Sequence, residues 1–234
     1  MTPLRRSLLP VLAFLLLAIA RPALAQTEGI LPTDQYTSEK AKRLATTHAE
    51  VLRDLNTTIY HCLPWLEVYR GSIGFFKPKH LSVDDRYLSV RTFVEQEPSA
   101  DFARLGADQR ASAMFSRYVG HLLRRMTRDR AVLSDPDIAG FTVIVEWVKQ
   151  GGAINGRAVH ETIAVFIDKP LARAYLERRV DTAGIAARAR VIGFDGETAL
   201  GEIKLAAWDD DFATRFQVKD YKTPAGLDCR MTAK

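Results

Sequence analysis

Glu146 and His160 are the residues whose types best suit proton transfer, because a carboxylate beside an imidazole can act as a general acid–base pair. Each lies in a run with the texture of a β-strand, 141–148 and 158–167. The stretch between them, Gln150 to Arg157, holds Gly151, Gly152, Asn155 and Gly156 and reads as a reversal. The two runs then form an antiparallel hairpin in which Glu146 and His160 face one another's strand. Register decides whether the side chains meet, and the sequence does not fix it.

Two other clusters carry chemistry of a different kind. Trp65, Tyr69, Phe75 and Phe76 are interleaved with Gly71, Gly74 and Pro78. Aromatics beside glycines line a pocket or a partner surface, or they seal the core beneath a loop. Arg117, His121, Arg124, Arg125 and Arg128 gather towards the end of a helix. They suit a phosphate or lipid headgroup, or simply a solvated helix end where cations meet the exposed carbonyls.

No other pattern suggests a cofactor or a metal. The five histidines are His48, His61, His80, His121 and His160, and none lies two to four residues from another His or Cys. His48 sits on an apolar stripe and reads as a core histidine. Asp209-Asp210-Asp211 lacks the alternating acids of a calcium loop and reads as a strand end. There is no glycine-rich phosphate loop and no Gly-x-Ser-x-Gly elbow. Asn56-Thr57-Thr58 matches a glycosylation sequon but falls inside a helix.

The elements that must position these groups follow from periodicity. Thr37 or Ser38 caps a helix running to Cys62, with Leu44, His48, Val51, Leu55, Ile59 and Cys62 on one face, and Pro64 ends it. The aromatic segment from Trp65 to His80 reads as irregular. Tyr87 to Glu95 alternates as a strand, with Leu88, Val90, Thr92 and Val94 on one side. A helical turn falls within 98–106. Asp108 opens a long helix to Arg128 whose stripe is Ala111, Met114, Phe115, Tyr118, Leu122 and Met126. After the 141–167 hairpin, Asp168 caps a short helix over Leu171 to Val180. Asp195-Gly196 then joins two further strands, Arg188 to Phe194 and Glu197 to Trp208. The expected fold is α+β: an antiparallel sheet built from hairpins, with helices packed on one face.

Residues 1–25 read as a secretory leader. Arg5 and Arg6 precede an apolar run from Leu8 to Ala20, and Ala23-Leu24-Ala25 is a cleavage signal. The run is shorter than the roughly 20 residues a spanning helix needs, so no transmembrane segment is expected after cleavage. Residues 26–234 then form a single α+β domain, mainly helical in its N-terminal half and mainly hairpins over 138–234. Of the 33 Lys and Arg, Arg5, Arg6 and Arg21 belong to the leader, which leaves 30 against 28 Asp and Glu. That balance gives no case for nucleic acid. The only cysteines, Cys62 and Cys229, form a natural disulfide in an oxidising compartment. It would close a loop of about 170 residues, for which chain entropy gives at most about 5 kcal/mol.

Periplasmic or secreted localisation follows from the leader. The expected function is that of a non-catalytic binding or assembly module of the cell envelope. Its partner would be an envelope protein or a small apolar ligand, or, through the arginine helix, a peripheral membrane surface. The alternative is an envelope hydrolase using the Glu146–His160 pair.

Overall fold

A computed structural model of the chain describes residues 28–63, 66–94, 100–208 and Cys229. Residues 1–25, expected to be a leader, with Pro64, Trp65, the three aspartates 209–211 and the tail beyond them, Cys229 excepted, lie outside the described residues. The chain is α+β, with a mostly antiparallel seven-stranded sheet in the order β1-β3-β4-β5-β6-β7 and β2 also paired to β3.

Ser38 caps α1 (Glu39–Thr47), its hydroxyl accepting from the Ala41 amide. The helix expected to continue to Cys62 breaks at His48, and α2 (Ala49–Cys62) begins afresh. Thr46-Thr47-His48 is a run of weak helix formers. The His48 ring also turns away to bond Asp135, Nε2 to Oδ2 at 2.8 Å. The break shifts the buried stripe, so Leu52 is buried beside Leu55 and Ile59 while Val51 is half-buried. Asn56 and Thr58 are buried too, which closes the sequon to a glycan.

The aromatic segment is more regular than its composition suggests. It forms β1 (Leu66–Val68) and β2 (Gly74–Phe76), both antiparallel to β3 (Arg86–Val94). Gly71, at φ 64°, turns the chain between them. In β3 the expected inward set Leu88, Val90, Thr92 and Val94 is buried.

The crossover to the next strand is helical: α3 (Ala100–Ala103), α4 (Ala107–Met114), α5 (Gly120–Met126) and α6 (Arg130–Ser134). A π-helical turn over Phe115–Val119 joins α4 to α5. The turn adds one residue to the helix, so Val119 and Leu123 are buried along with the expected stripe. The crossover brings β4 (Ile138–Ile154) alongside β3 in parallel, whereas the other pairings between the described strands are antiparallel. β4 and β5 (Arg157–Asp168) form a long hairpin. Its reversal is confined to Asn155-Gly156, both at positive φ (53° and 75°), rather than spread over Gln150–Arg157.

The Asp168 side chain accepts from Leu171 N at 2.8 Å and caps α7 (Lys169–Leu176). A further helix, α8 (Thr182–Arg188), was not foreseen; Asp181 caps it. β6 (Arg190–Phe194) and β7 (Ala199–Glu202) close the sheet. The turn between them spans Asp195–Thr198, longer than the two residues expected. The Asp195 carboxylate accepts the amides of Glu197 and Thr198 and so completes a wider loop. The chain then crosses α4 and the π-helical turn after it, where Ser112 and Ser116 accept the amides of Ala206 and Trp208. Cys229 is bonded to Cys62 at the end of α2, with their Cα atoms 5.4 Å apart.

One hydrophobic core joins the helices to alternate strand residues: Val90 and Val94, then Phe141, Val143, Val145 and Trp147, then Ile163, Val165 and Ile167. Leu44, Leu55, Phe115 and Leu122 complete it from the helices. Period-two alternation sends Arg91 and Phe93, Ile144, Glu146 and Val148, and His160 and Thr162 the other way.

Candidate functional site

Glu146 and His160 do meet. In the β4–β5 register His160 lies opposite Val148 and Thr162 opposite Glu146, so the pair is diagonal across the hairpin. His160 Nδ1 is 2.6 Å from Glu146 Oε1. Two more donors converge on the same carboxylate. Phe93 on β3 stands opposite Glu146, and Arg91 two residues before it projects from the same face. Arg91 donates from Nε to Glu146 Oε2 at 3.2 Å and from Nη2 to the same oxygen. Tyr69, just after β1, donates its hydroxyl to Oε1 at 2.5 Å. The Arg91 guanidinium lies over the Tyr69 ring, 4.4 Å from its centroid, and the His160 ring packs on Phe93 at 5.1 Å.

This surrounding fixes the charge state. Burial pushes the Glu146 carboxyl up, but the bonds from Tyr69, Arg91 and His160 outweigh it and hold the group below its ordinary value. Burial, the hydrogen bond to Glu146 and the Glu146 charge push the Tyr69 phenol up to about 12. Glu146 is therefore an anion and Tyr69 a neutral donor at neutral pH. Because the carboxylate only accepts, the proton of the His160–Glu146 bond sits on Nδ1. That leaves Nε2 as the working nitrogen, and the His160 side chain is 35% exposed.

His160 opens onto a cleft of about 760 Å³ whose walls include Arg91, Asn155, Arg157, Thr162 and Phe194. The tip of the β4–β5 hairpin forms one side and the β6–β7 turn another. Gly196 closes that side because it alone fits: a Cβ there would lie 2.0 Å from Val159 Cγ1 and 2.9 Å from the carbonyl oxygen of His160, at φ 92°.

The chain matches no protein-family model, no curated protein and no solved structure. The reading of the site rests on its own residues.

The other sequence candidates lie away from this cleft. Phe75 is fully buried in the core and Phe76 is half-buried, while Tyr69 serves the carboxylate. The structure does not gather these three at one surface, and Trp65 is outside the described residues. Of the arginine helix, Arg117 lies over Phe102 and Arg124 over Tyr175. Arg125 is buried, Arg128 lies 3.7 Å from Asp54, and His121 is exposed. No group of His, Cys, Asp and Glu among the described residues could hold a metal ion.

Arg91 was missed as a site residue, although its outward parity on β3 is readable from the alternation. A second carboxylate was missed as well. Glu161 is 2% exposed and accepts Arg110 Nε and Trp147 Nε1, each at 2.7 Å. It stands opposite Trp147, on the core-facing set of β5. A charge among Val159, Ile163 and Val165 signals a buried ion pair from sequence alone. Its partners are structural, whereas those of Glu146 lead to the cleft.

Proposed function

We propose that the chain is an exported protein whose α+β domain carries an acid–base site on the sheet face opposite its helical layer, with His160 as general base and Glu146 as the residue that orients it. The observation that carries this reading is the 2.6 Å contact of His160 Nδ1 with a carboxylate held ionised by two further donors, beside an open cleft. Nε2 takes a proton from a water directed at a bound substrate, and the imidazolium that forms is stabilised by Glu146 without proton transfer to it. The imidazolium then returns the proton to the leaving group. Among the described residues neither Ser nor Cys lines the cleft and its one hydroxyl is that of Thr162; the scheme takes water as the nucleophile. The leader at 1–25 and the Cys62–Cys229 bond support export to the periplasm or beyond.

The test is a panel of chromogenic esters, anilides, phosphoesters and glycosides offered to the wild type, His160→Gln and Glu146→Gln. Turnover by the wild type that falls about 10²-fold or more in His160→Gln supports the reading. Turnover that His160→Gln leaves intact, or none across the panel, overturns it. Nitrogen NMR of the His160 ring adds an independent readout, with the neutral form expected to carry its proton on Nδ1. A proton on Nε2 would falsify the geometry on which the scheme depends.

A further inference from the structure

The polar groups around the cleft are unevenly matched. Glu146 is the one acid among the described residues that line it, and its oxygens are taken: Oε1 accepts from Tyr69 and His160, Oε2 from Arg91. The donors are in surplus. Arg91 uses Nε and Nη2 on Glu146, which leaves Nη1, and 45% of that side chain is exposed. His160 uses Nδ1 and keeps Nε2. The Asn155 amide and the Arg157 guanidinium make no hydrogen bond or ion pair to the described residues, and both stand at the hairpin tip that forms the cleft wall. Positive φ at Asn155 and the Asn155-Gly156 turn hold these two in place. Opposite them Phe194 is 40% exposed, an apolar surface within the same cleft. Among the lining side chains two guanidinium groups stand against one saturated carboxylate, while Asp195 and Glu197 of the β6–β7 turn are engaged by that turn's own amides and by Lys149.

We infer that the cleft takes a small ligand bearing an oxyanion, a carboxylate or a phosphate monoester, bound by Arg157 at the hairpin tip with its apolar body against Phe194. A guanidinium offers paired N–H groups that fit such an anion, and the ring of Phe194 offers the face for what the anion is attached to. This assignment deepens the acid–base reading by giving its substrate class. It places the anion at the hairpin tip and the reacting atom beside His160 Nε2. Discrimination by charge rather than by shape is its consequence, since removing one charge-assisted contact loses about tenfold or more in affinity.

Benzoate, phenyl phosphate and benzamide probe this directly, titrated into the isotope-labelled full chain with the His160 and Arg157 side-chain signals followed by NMR. Saturable shifts with benzoate or phenyl phosphate, with benzamide about tenfold weaker or more, support the inference, and the stronger of the two anions identifies the class. Arg157→Gln, at an exposed position, is expected to weaken the anion about tenfold or more without altering thermal unfolding. Benzamide binding as tightly as benzoate, or an Arg157→Gln variant that binds the anions unchanged, overturns it. The outcome is separable from that of the acid–base reading. Anion binding that survives in a protein without turnover removes the chemistry and keeps the ligand class. Turnover that is indifferent to ligand charge does the reverse.

Discussion

Glu146 shows how much a single side chain can depend on its neighbours. Gln at this position keeps the shape but removes the charge that Arg91 and His160 share. Because the Arg91 side chain is 45% exposed, the stranded cation recovers water, and Glu146→Gln is expected to cost about 1–3 kcal/mol. The cost depends on pH in a defined sense. The folded carboxyl titrates below its ordinary value, so its contribution is fully present above that value and is lost as pH falls through the folded pKa. Urea unfolding at about pH 7 and about pH 3 is therefore expected to show the wild type and the variant converging in acid. An undiminished gap at the lower pH would place the stabilisation elsewhere. At this scale the sequence supplied the pair, Glu146 and His160, but not the contact. A one-residue slip of the hairpin would have put them on different faces. Tyr69 was legible as an aromatic but not as a donor, because nothing local ties a residue after β1 to a carboxylate on β4.

Among the elements, local chemistry was readable where it acts over a few residues. The Ser38 and Asp168 caps, the stripe of the long helix and the β4–β5 hairpin are all of that kind. The break at His48 was only half readable: the weak helix formers Thr46-Thr47-His48 are local, but the bond that turns the ring aside comes from Asp135, 87 residues away. The parallel pairing of β3 with β4 was not readable, since a reading built from consecutive hairpins excludes it. The Asn155-Gly156 turn could have been read more sharply, because that dipeptide between strands favours a two-residue turn. Two glycines distinguish conformational from steric demands. Gly156 is at φ 75° with open space around a built Cβ, so Gly156→Ala is expected to cost only the left-handed penalty of about 1–2 kcal/mol. Gly140 on β4 has ordinary φ, yet a Cβ there would lie 2.5 Å from the Ile167 carbonyl oxygen and 2.5 Å from the Tyr87 ring. Gly140→Ala is expected to cost more than Gly156→Ala, by about 1–3 kcal/mol through overpacking. Denaturant melts of the two variants check the order, and the reverse order would mean the sheet shifts freely at Gly140.

For the whole molecule, the coarse class was legible: α+β, mostly antiparallel, with Cys62 joined to Cys229. No helix among the described residues is long and apolar enough to cross a membrane. The disulfide spans a separation of 167 residues, and replacing both cysteines with serine is expected to lower stability by about 2–5 kcal/mol. Reductant should then have no further effect on the melting temperature of the double variant. Equal melting of wild type and variant in non-reducing buffer would show that the bond adds no net stability. The parallel β3–β4 pair also dictates an order of assembly. Tyr69 and Arg91 precede Glu146 by 77 and 55 residues, while His160 follows it by only 14. A newly made chain can therefore zip the Asn-Gly hairpin quickly, whereas β3 must wait, with one edge bare, for distant sequence to return. The imidazole–carboxylate pair and Arg157 belong to that hairpin and are expected to form together, with Arg91 and Tyr69 joining only when β3 docks.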